Sequence, residues 1–300
     1  MFDNQINNNL LNINNLSNEY SQIIQNFNKI DSTKEIEPTI KNINKNIFDG
    51  NLNMIIDELI DMIFKKLNEG VYKEVIKKHV INFIINQGII SQEIYNYLLN
   101  NQNESSNSIY LLGYFNYNGI ETNINMQKAF ELYQKAMEMN NNNCVAQLDL
   151  TEIYIHGNGI KTNHNKAFEL SNKLAEKGIP NAINKLGYCY EKGIGTYADW
   201  QKAFEFYQKA AELGNSTGIN NTGYCHYNGI GTDVNKQKGF ELYQKGANLN
   251  NYIAQYNLAS MYENGNGIIK DIDQAIYWYK KSAEQGYNYA QSKFNLLSGK

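Results

Sequence analysis

One short string, used five times, limits this chain more than any other feature. Lys128-Ala129-Phe130-Glu131-Leu132 returns as Lys166-Ala167-Phe168-Glu169-Leu170, as Lys202-Ala203-Phe204-Glu205-Phe206 and as Lys238-Gly239-Phe240-Glu241-Leu242. A degenerate fifth copy is Gln274-Ala275-Ile276-Tyr277-Trp278, and the intervals are 38, 36, 36 and 36 residues. Sixteen residues ahead of each string stands a Leu-Gly-like pair: Leu112-Gly113, Leu150-Thr151, Leu186-Gly187, Thr222-Gly223 and Leu258-Ala259. Seven residues beyond the first member of each pair comes Gly119, Gly157, Gly193, Gly229 or Gly265. Two positions later Gly159, Gly195, Gly231 and Gly267 follow, with Glu121 in the first unit. A fixed period of this size means a stack of like units rather than one closed core.

The offsets define the unit. Gly-x-Gly between two apolar-periodic stretches supplies the positive φ angles that end one helix and turn the chain. Three residues before each string sits Asn125, Asn163, Asp199, Asn235 or Asp271, all strong N-cap residues where a second helix begins. Within that helix Ala129, Leu132, Tyr133 and Ala136 share one face, and the small Ala129, Ala167, Ala203, Gly239 and Ala275 permit close helix approach. The unit is a helical hairpin, and the fold class is all-α: five hairpins stacked as an α-solenoid.

Leu-Gly-x-x-Tyr-x-x-Gly-x-Gly followed by Lys-Ala and Tyr-x-Lys-Ala-Ala resembles the Sel1-like repeat, a relative of the tetratricopeptide repeat. The resemblance is fullest from Leu186-Gly187-Tyr188 through Gly193-Ile194-Gly195 to Tyr207-Gln208-Lys209-Ala210-Ala211. It implies a right-handed superhelix with repeats at about 105–140, 141–178, 179–214, 215–250 and 251–286 and a C-terminal cap helix over 287–300. Departures from the pattern include Thr151 and Ala259 for Gly, Asn116 and His226 for Tyr, and Leu174 for Ala.

Ahead of the repeats, Leu10, Ile13, Leu16, Tyr20, Ile23, Phe27 and Ile30 alternate by threes and fours, so residues 1–48 read as an Asn-rich amphipathic helix or a partly disordered segment. Residues 49–104 predict three helices: one striped by Leu52, Ile55, Ile56, Leu59, Ile60, Ile63 and Leu67 and ended at Gly70, one over Val71 to Asn86 stopped by Gly88, and one over Ser91 to Asn100. This region is expected to cap the apolar end of the first repeat. Helices followed by such repeats resemble the C-terminal arms of some fungal kinase-like signalling proteins.

Composition narrows the function. The chain has 27 basic residues against 30 acidic ones, and every basic residue is Lys. Without Arg there is no planar fork for phosphate or carboxylate clamps, and the net charge of −3 speaks against nucleic acid. Asn supplies about a sixth of the residues, a bias that also explains the scattered Asn-x-Ser/Thr triplets. The start, Met1-Phe2-Asp3-Asn4-Gln5, does not read as a secretory signal, and the most apolar stretch, Val80 to Ile90, is too short and polar to span a membrane. Three widely spaced cysteines, Cys144, Cys189 and Cys225, point to reduced thiols and a cytoplasmic location. Cys189 and Cys225 hold equivalent places in adjacent units, on the order of 10 Å apart and beyond disulfide reach.

No catalytic or metal-ligating set emerges. The Gly-x-Gly loops recur once per unit with no third Gly or phosphate-binding Lys, which makes them turns. Phe48-Asp49-Gly50 has the wrong order for a kinase motif, and the four His lack a His-x-x-x-His pair. Some secreted bacterial proteins resembling this family carry paired Cys in each unit and are linked to β-lactam binding; those pairs are missing here, which argues against a hydrolase. The expectation is a non-enzymatic adaptor or scaffold in signalling or complex assembly, with no cofactor, metal, nucleic acid or membrane partner. The alternative is a regulatory arm of an enzyme encoded elsewhere, such as a protein kinase or chitin synthase. Partner contact is expected along the concave face at Tyr114, Glu152, Tyr188 and Tyr224, two residues past each Leu position and so about 200° around the helix. Lys185 and Asn221, beside that position, complete the candidate set, while Phe204 is expected in the core.

Overall fold

The structure is a computed structural model that describes residues 37–102 and 104–299, with residues 37–51 described as helical backbone only. The stripe from Leu10 to Ile30 therefore lies outside the described residues. Contacts divide the chain into Met1–Leu52 and Asn53–Lys300. In the first of these, only the beginning of a helix is described. Everything below concerns the second.

Fourteen helices make up the described residues, and no strand occurs among them. Helix α1 (Glu37–Asn68) crosses the division, and α2 (Lys73–Asn86) and α3 (Ser91–Asn100) follow it. The repeats are then α4 (Ser106–Asn118) with α5 (Met126–Met139), α6 (Cys144–His156) with α7 (His164–Glu176), α8 (Pro180–Lys192) with α9 (Trp200–Glu212), α10 (Ser216–Asn228) with α11 (Lys236–Asn248), and α12 (Tyr252–Asn264) with α13 (Ile272–Glu284). Helix α14 (Asn288–Ser298) closes the series. Neighbouring helices pack in consecutive pairs, the arrangement of an α-solenoid.

Local chemistry explains each boundary. Asn125, Asn163, Asp199, Asn235 and Asp271 each accept the backbone N–H three residues on, the N-cap bond that starts every second helix. Every first helix ends on a left-handed glycine, with φ of 64°, 72°, 68°, 72° and 68° at Gly119, Gly157, Gly193, Gly229 and Gly265. The second glycine of each turn has a further duty. A Cβ on Gly159 would stand 2.6 Å from the Cβ of Met126, and on Gly195 and Gly231 it would run into the carbonyls of His164 and Trp200. Each of these partners begins the second helix of the preceding unit, so the glycine is where one hairpin rests on the last. Glu121 holds the same place in the first unit with φ 55° because no earlier hairpin abuts it.

Inside the first, third and fourth hairpins a tyrosine ring lies on the glycine of the Leu-Gly pair. A Cβ on Gly113 or Gly187 would meet the ring of Tyr133 or Tyr207 at 2.8 Å. Tyr133, Tyr207, Tyr243 and Tyr279 are all buried, as are Leu112, Leu186, Ala129, Ala167, Ala203 and Ala275. The second unit reverses the volumes, with Thr151 in place of Gly and Ser171 in place of Tyr, both fully buried. Phe204 departs from its expected core position. It is half-buried, edge-on to His226 of the next unit with ring centres 5.2 Å apart. Phe130–Tyr154, Phe168–Tyr190 and Phe240–Tyr262 repeat that geometry at 5.5–5.7 Å. The phenylalanines couple units, each pair being worth about 0.5–1.5 kcal/mol beyond area burial, while the tyrosines fill the hairpins.

The turn glycines separate in one experiment. Gly193→Ala leaves its new Cβ no closer than 3.4 Å to any neighbour, so only the left-handed backbone is strained, costing about 1–2 kcal/mol. Gly195→Ala adds a clash with the preceding hairpin and should cost about 3 kcal/mol or more in denaturant unfolding. Equal losses would refute the inter-unit role. The aromatic assignment gives a second test: Tyr207→Ala should cost about 3–5 kcal/mol, as expected of a cavity under a buried ring, and Phe204→Ala only about 1–2.

Candidate functional site

The first helices of successive units touch one another and form one wall. Polar side chains stitch it: Asn221 Nδ2 donates to Asn184 Oδ1 at 3.0 Å and Asn257 Nδ2 to Asn220 Oδ1 at 2.9 Å. Asn143 and Asn251 use their Oδ1 atoms to cap α6 and α12. Their Nδ2 atoms reach back to a hydroxyl on the preceding first helix, Asn143 to Ser106 at 2.7 Å and Asn251 to Ser216 at 3.3 Å. Asn215 caps α10 the same way, but the matching position one unit earlier is Pro180, which has no hydroxyl to offer.

The N-terminal helices use that gap. They do more than cover the end of the first repeat, as the sequence suggested. Helix α3 does lie there, with Tyr95 stacked on Phe115 at 6.2 Å. The α1–α2 turn instead runs along the wall. At the end of α1 the N–H groups of Glu69, Val71 and Gly70 turn back to the carbonyls of Lys65, Lys66 and Leu67, and the wall supplies donors to the carbonyls that follow and a second one to Leu67. Asn181 Nδ2 donates to the Leu67 carbonyl at 2.8 Å, Asn215 Nδ2 to that of Asn68 at 2.9 Å and the Ser216 N–H to that of Glu69 at 2.9 Å. The Gly70 carbonyl accepts from Ser216 Oγ at 3.0 Å and Thr217 Oγ1 at 3.2 Å. The ring of Tyr72 then meets Tyr252 of the fifth repeat at 4.5 Å.

Between this turn and the wall lies a cavity of about 450 Å³, lined by residues of the second to fifth repeats. Four of the six candidate residues, Glu152, Lys185, Tyr188 and Asn221, line it together. Glu152 of α6 pairs with Lys185 of α8 and lies 3.4 Å from His156. Lys73 of α2 approaches Asp149 at 3.8 Å, and Tyr110 donates to the same carboxylate at 2.8 Å. Burial works against the Glu152 charge, but Lys185 and Lys73 outweigh it and hold its pKa well below the usual 4.5. Burial raises the Asp149 carboxyl despite Lys73. Burial likewise opposes the Lys73 ammonium, yet Glu152 and Asp149 prevail and raise it.

Two candidates stand elsewhere. Tyr114 is only 6% exposed, because Ile63, Leu67 and Ile76 of the N-terminal helices share its surroundings, so it is not available on the open wall. Burial pushes its hydroxyl up well beyond the ordinary tyrosine range. Tyr224 is 46% exposed but opens onto a separate hollow of about 140 Å³ with Tyr243 and Met261. The contributions of Lys73, Asp149 and Asn181 escaped the sequence reading, since the repeat pattern does not place the N-terminal helices. Cys144, Cys189 and Cys225 are free, and no cluster of three or more potential metal ligands occurs among the described residues. No helix of the described residues is long and apolar enough to cross a membrane.

With that geometry in place, comparison with known proteins gives a direct answer about kinship. The Sel1 repeat model matches residues 106–141, 145–179, 180–215, 216–251 and 253–287, more than half of the chain. The chain belongs to the Sel1 repeat family. Members of this family generally act as protein-interaction scaffolds. Among solved structures, a Sel1 repeat protein from Oxalobacter formigenes is 29% identical with a TM-score of 0.60, over 73% of this chain and 89% of that one. A protective antigen of uropathogenic Escherichia coli displaying an SLR fold is 26% identical with a TM-score of 0.53. That match covers 86% of this chain and 51% of the antigen, so the chain spans about half the antigen's length. Comparison with curated proteins gives no match.

The charge cluster of this Sel1 wall has a pH signature. The folded Glu152 pKa lies below its usual value of 4.5, so its pairing stabilises the fold at neutral pH and is lost as pH falls below that value. Glu152→Gln should cost about 2 kcal/mol at pH 7, measured by denaturant unfolding, with the deficit shrinking under acid conditions. A deficit independent of pH would show that the carboxylate charge is not what holds Lys185 and Lys73.

Proposed function

We propose that this chain is a non-enzymatic protein-interaction scaffold of the cytoplasm, serving signalling or complex assembly, and that its first-helix wall holds a segment of a partner protein. The observation that carries the reading is the cavity of about 450 Å³, which draws its lining from four consecutive repeats. A surface assembled by stacking suits an elongated ligand, because each unit adds a few side chains along one line. Tyr188 and Tyr252 offer rigid aromatic area, and Asn184, Asn221 and Thr217 offer uncharged hydrogen-bonding groups. The titratable groups there pair with one another across helices, which fits a binding wall better than acid–base chemistry. Family membership supports the same conclusion.

Affinity capture with the full chain tests it. Tyr188→Ala combined with Asn221→Ala should reduce recovery of the captured partner about tenfold, the effect of losing one aromatic anchor and its polar neighbour. Thermal stability should change little, because Tyr188 is only half-buried and Asn221 gives up two part-buried side-chain bonds, one to Asn184 and one from Asn220. Undiminished capture by the double variant would place the binding face elsewhere.

A further inference from the structure

We propose that the turn Leu67–Tyr72 is a strap that occupies the Sel1 wall as a built-in substitute for a partner segment, and that partner binding displaces it. The wall grips it as a solenoid would grip a foreign peptide. Four successive backbone carbonyls, Leu67 to Gly70, accept from Asn181, Asn215, Ser216 and Thr217. The strap's own side chains contribute a 3.4 Å contact from the Asn181 N–H to Asn68 Oδ1 and the aromatic contact of Tyr72 with Tyr252. Recognition thus rests on backbone carbonyls and on the missing Cβ of left-handed Gly70, so the wall fits a segment that, like a helix C-terminus closed by a glycine, presents carbonyls where no side chain stands in the way.

The strap is also separable from the core. Apart from Leu67, on which the strap is hinged, apolar burial of the N-terminal helices lies elsewhere, at Leu59, Ile63, Ile76, Val80 and Ile84, with Ile63, Leu67 and Ile76 grouped beside Tyr114 and Tyr133 of the first repeat. The tip holds to the third and fourth repeats by hydrogen bonds alone. Val71 and Tyr72 are partly exposed, and Gly70 to Lys73 form one side of the cavity assigned above to a partner. Lifting the tip would widen that cavity without uncovering the apolar stripe.

Gly70 supplies the test. With φ 74°, its added Cβ would lie 2.8 Å from the Thr217 nitrogen and 2.9 Å from Ser216 Oγ, so Gly70→Ala drives the tip off α10. Gly88 has φ 69° and nothing within 4 Å, so Gly88→Ala imposes like backbone strain without a clash. Thr217→Cys places a reporter thiol beneath the strap in both backgrounds, and maleimide labelling at that position is followed by peptide mass spectrometry. The strap model expects at least tenfold faster labelling with Gly70→Ala than with Gly88→Ala, while amide exchange in the first helices of the repeats stays slow. Equal labelling rates overturn it, as does loss of protection throughout the repeats, which would make the strap part of the core. Hydrogen exchange of the unaltered chain guards against a variant that fails to fold. The Ser216 amide, bonded to Glu69, should exchange at least tenfold faster than the Ile219 amide, bonded to Asn215 within α10. Exchange of both at one slow rate would also overturn the model. Displacement by a partner rests on the proposed function, but labelling and exchange need no partner, so the two ideas can fail separately.

Discussion

The architecture depends on one close approach, made four times: the second glycine of a turn against the start of the preceding unit's second helix. At Gly195 and Gly231 the neighbour is a backbone carbonyl, of His164 and of Trp200, so no side-chain adjustment could make room for a larger residue. That contact sets the spacing of the hairpins. The edge-on pairs Phe130–Tyr154, Phe168–Tyr190, Phe204–His226 and Phe240–Tyr262 recur because they inherit the same spacing. Stability in such a stack is a sum of hairpin terms and nearest-neighbour terms. The buried tyrosines belong to the first kind, the glycines and phenylalanines to the second.

A consequence of regular stacking is that the ends of the first helices line up. Their orphan N–H groups and capping side chains form a row of donors along one edge, and most of that row is satisfied internally, as Asn143 with Ser106 and Asn251 with Ser216 illustrate. Pro180 breaks the row. It starts α8 well, since its missing N–H is one a helix start leaves unused, but it offers Asn215 no hydroxyl. Asn215 is fully buried, so its free Nδ2 would be costly without a partner, and the carbonyl of Asn68 supplies one. One residue's chemistry thus accounts for where the end of α1 is received.

The sequence made some of this legible and hid the rest for physical reasons. Turn glycines and N-caps could be read directly because each satisfies a backbone requirement local to a few residues, whatever the tertiary setting. The core was harder. Phe204 and Tyr207 lie three apart on one helix, both aromatic, and only the glycine beneath Tyr207 says which ring goes inside. Thr151 looked like a lapse in the pattern, yet Ser171 takes the tyrosine's place in the same unit and both are fully buried, an exchange of volumes that shows only when the two positions are set side by side. Tyr114 was misjudged because its exposure is decided by Ile63, Leu67 and Ile76, which belong to no repeat. Helical periodicity places a residue on a face; it says nothing about what later covers that face.

The same reasoning explains why the wall's charges gather where they do. Glu152 and Lys185 sit on adjacent first helices, and Lys73 arrives from α2 to face Asp149. Surface ion pairs contribute little, but here burial removes the screening that would weaken them, and a buried carboxylate left alone would be costly. Asp149 shows the tension: its carboxyl is raised by burial even with Lys73 near and Tyr110 donating to it. Lys73 lies just beyond the tip of the strap, so the position of the N-terminal helices and the ionisation of the second repeat are coupled. A segment that lifts the tip and draws Lys73 away leaves Asp149 and Glu152 with less positive charge nearby, and a cationic group on that segment would restore it. A partner that displaces the tip, as proposed, would therefore be constrained twice, by carbonyls in place of those of Leu67 to Gly70 and by a positive charge in place of that of Lys73.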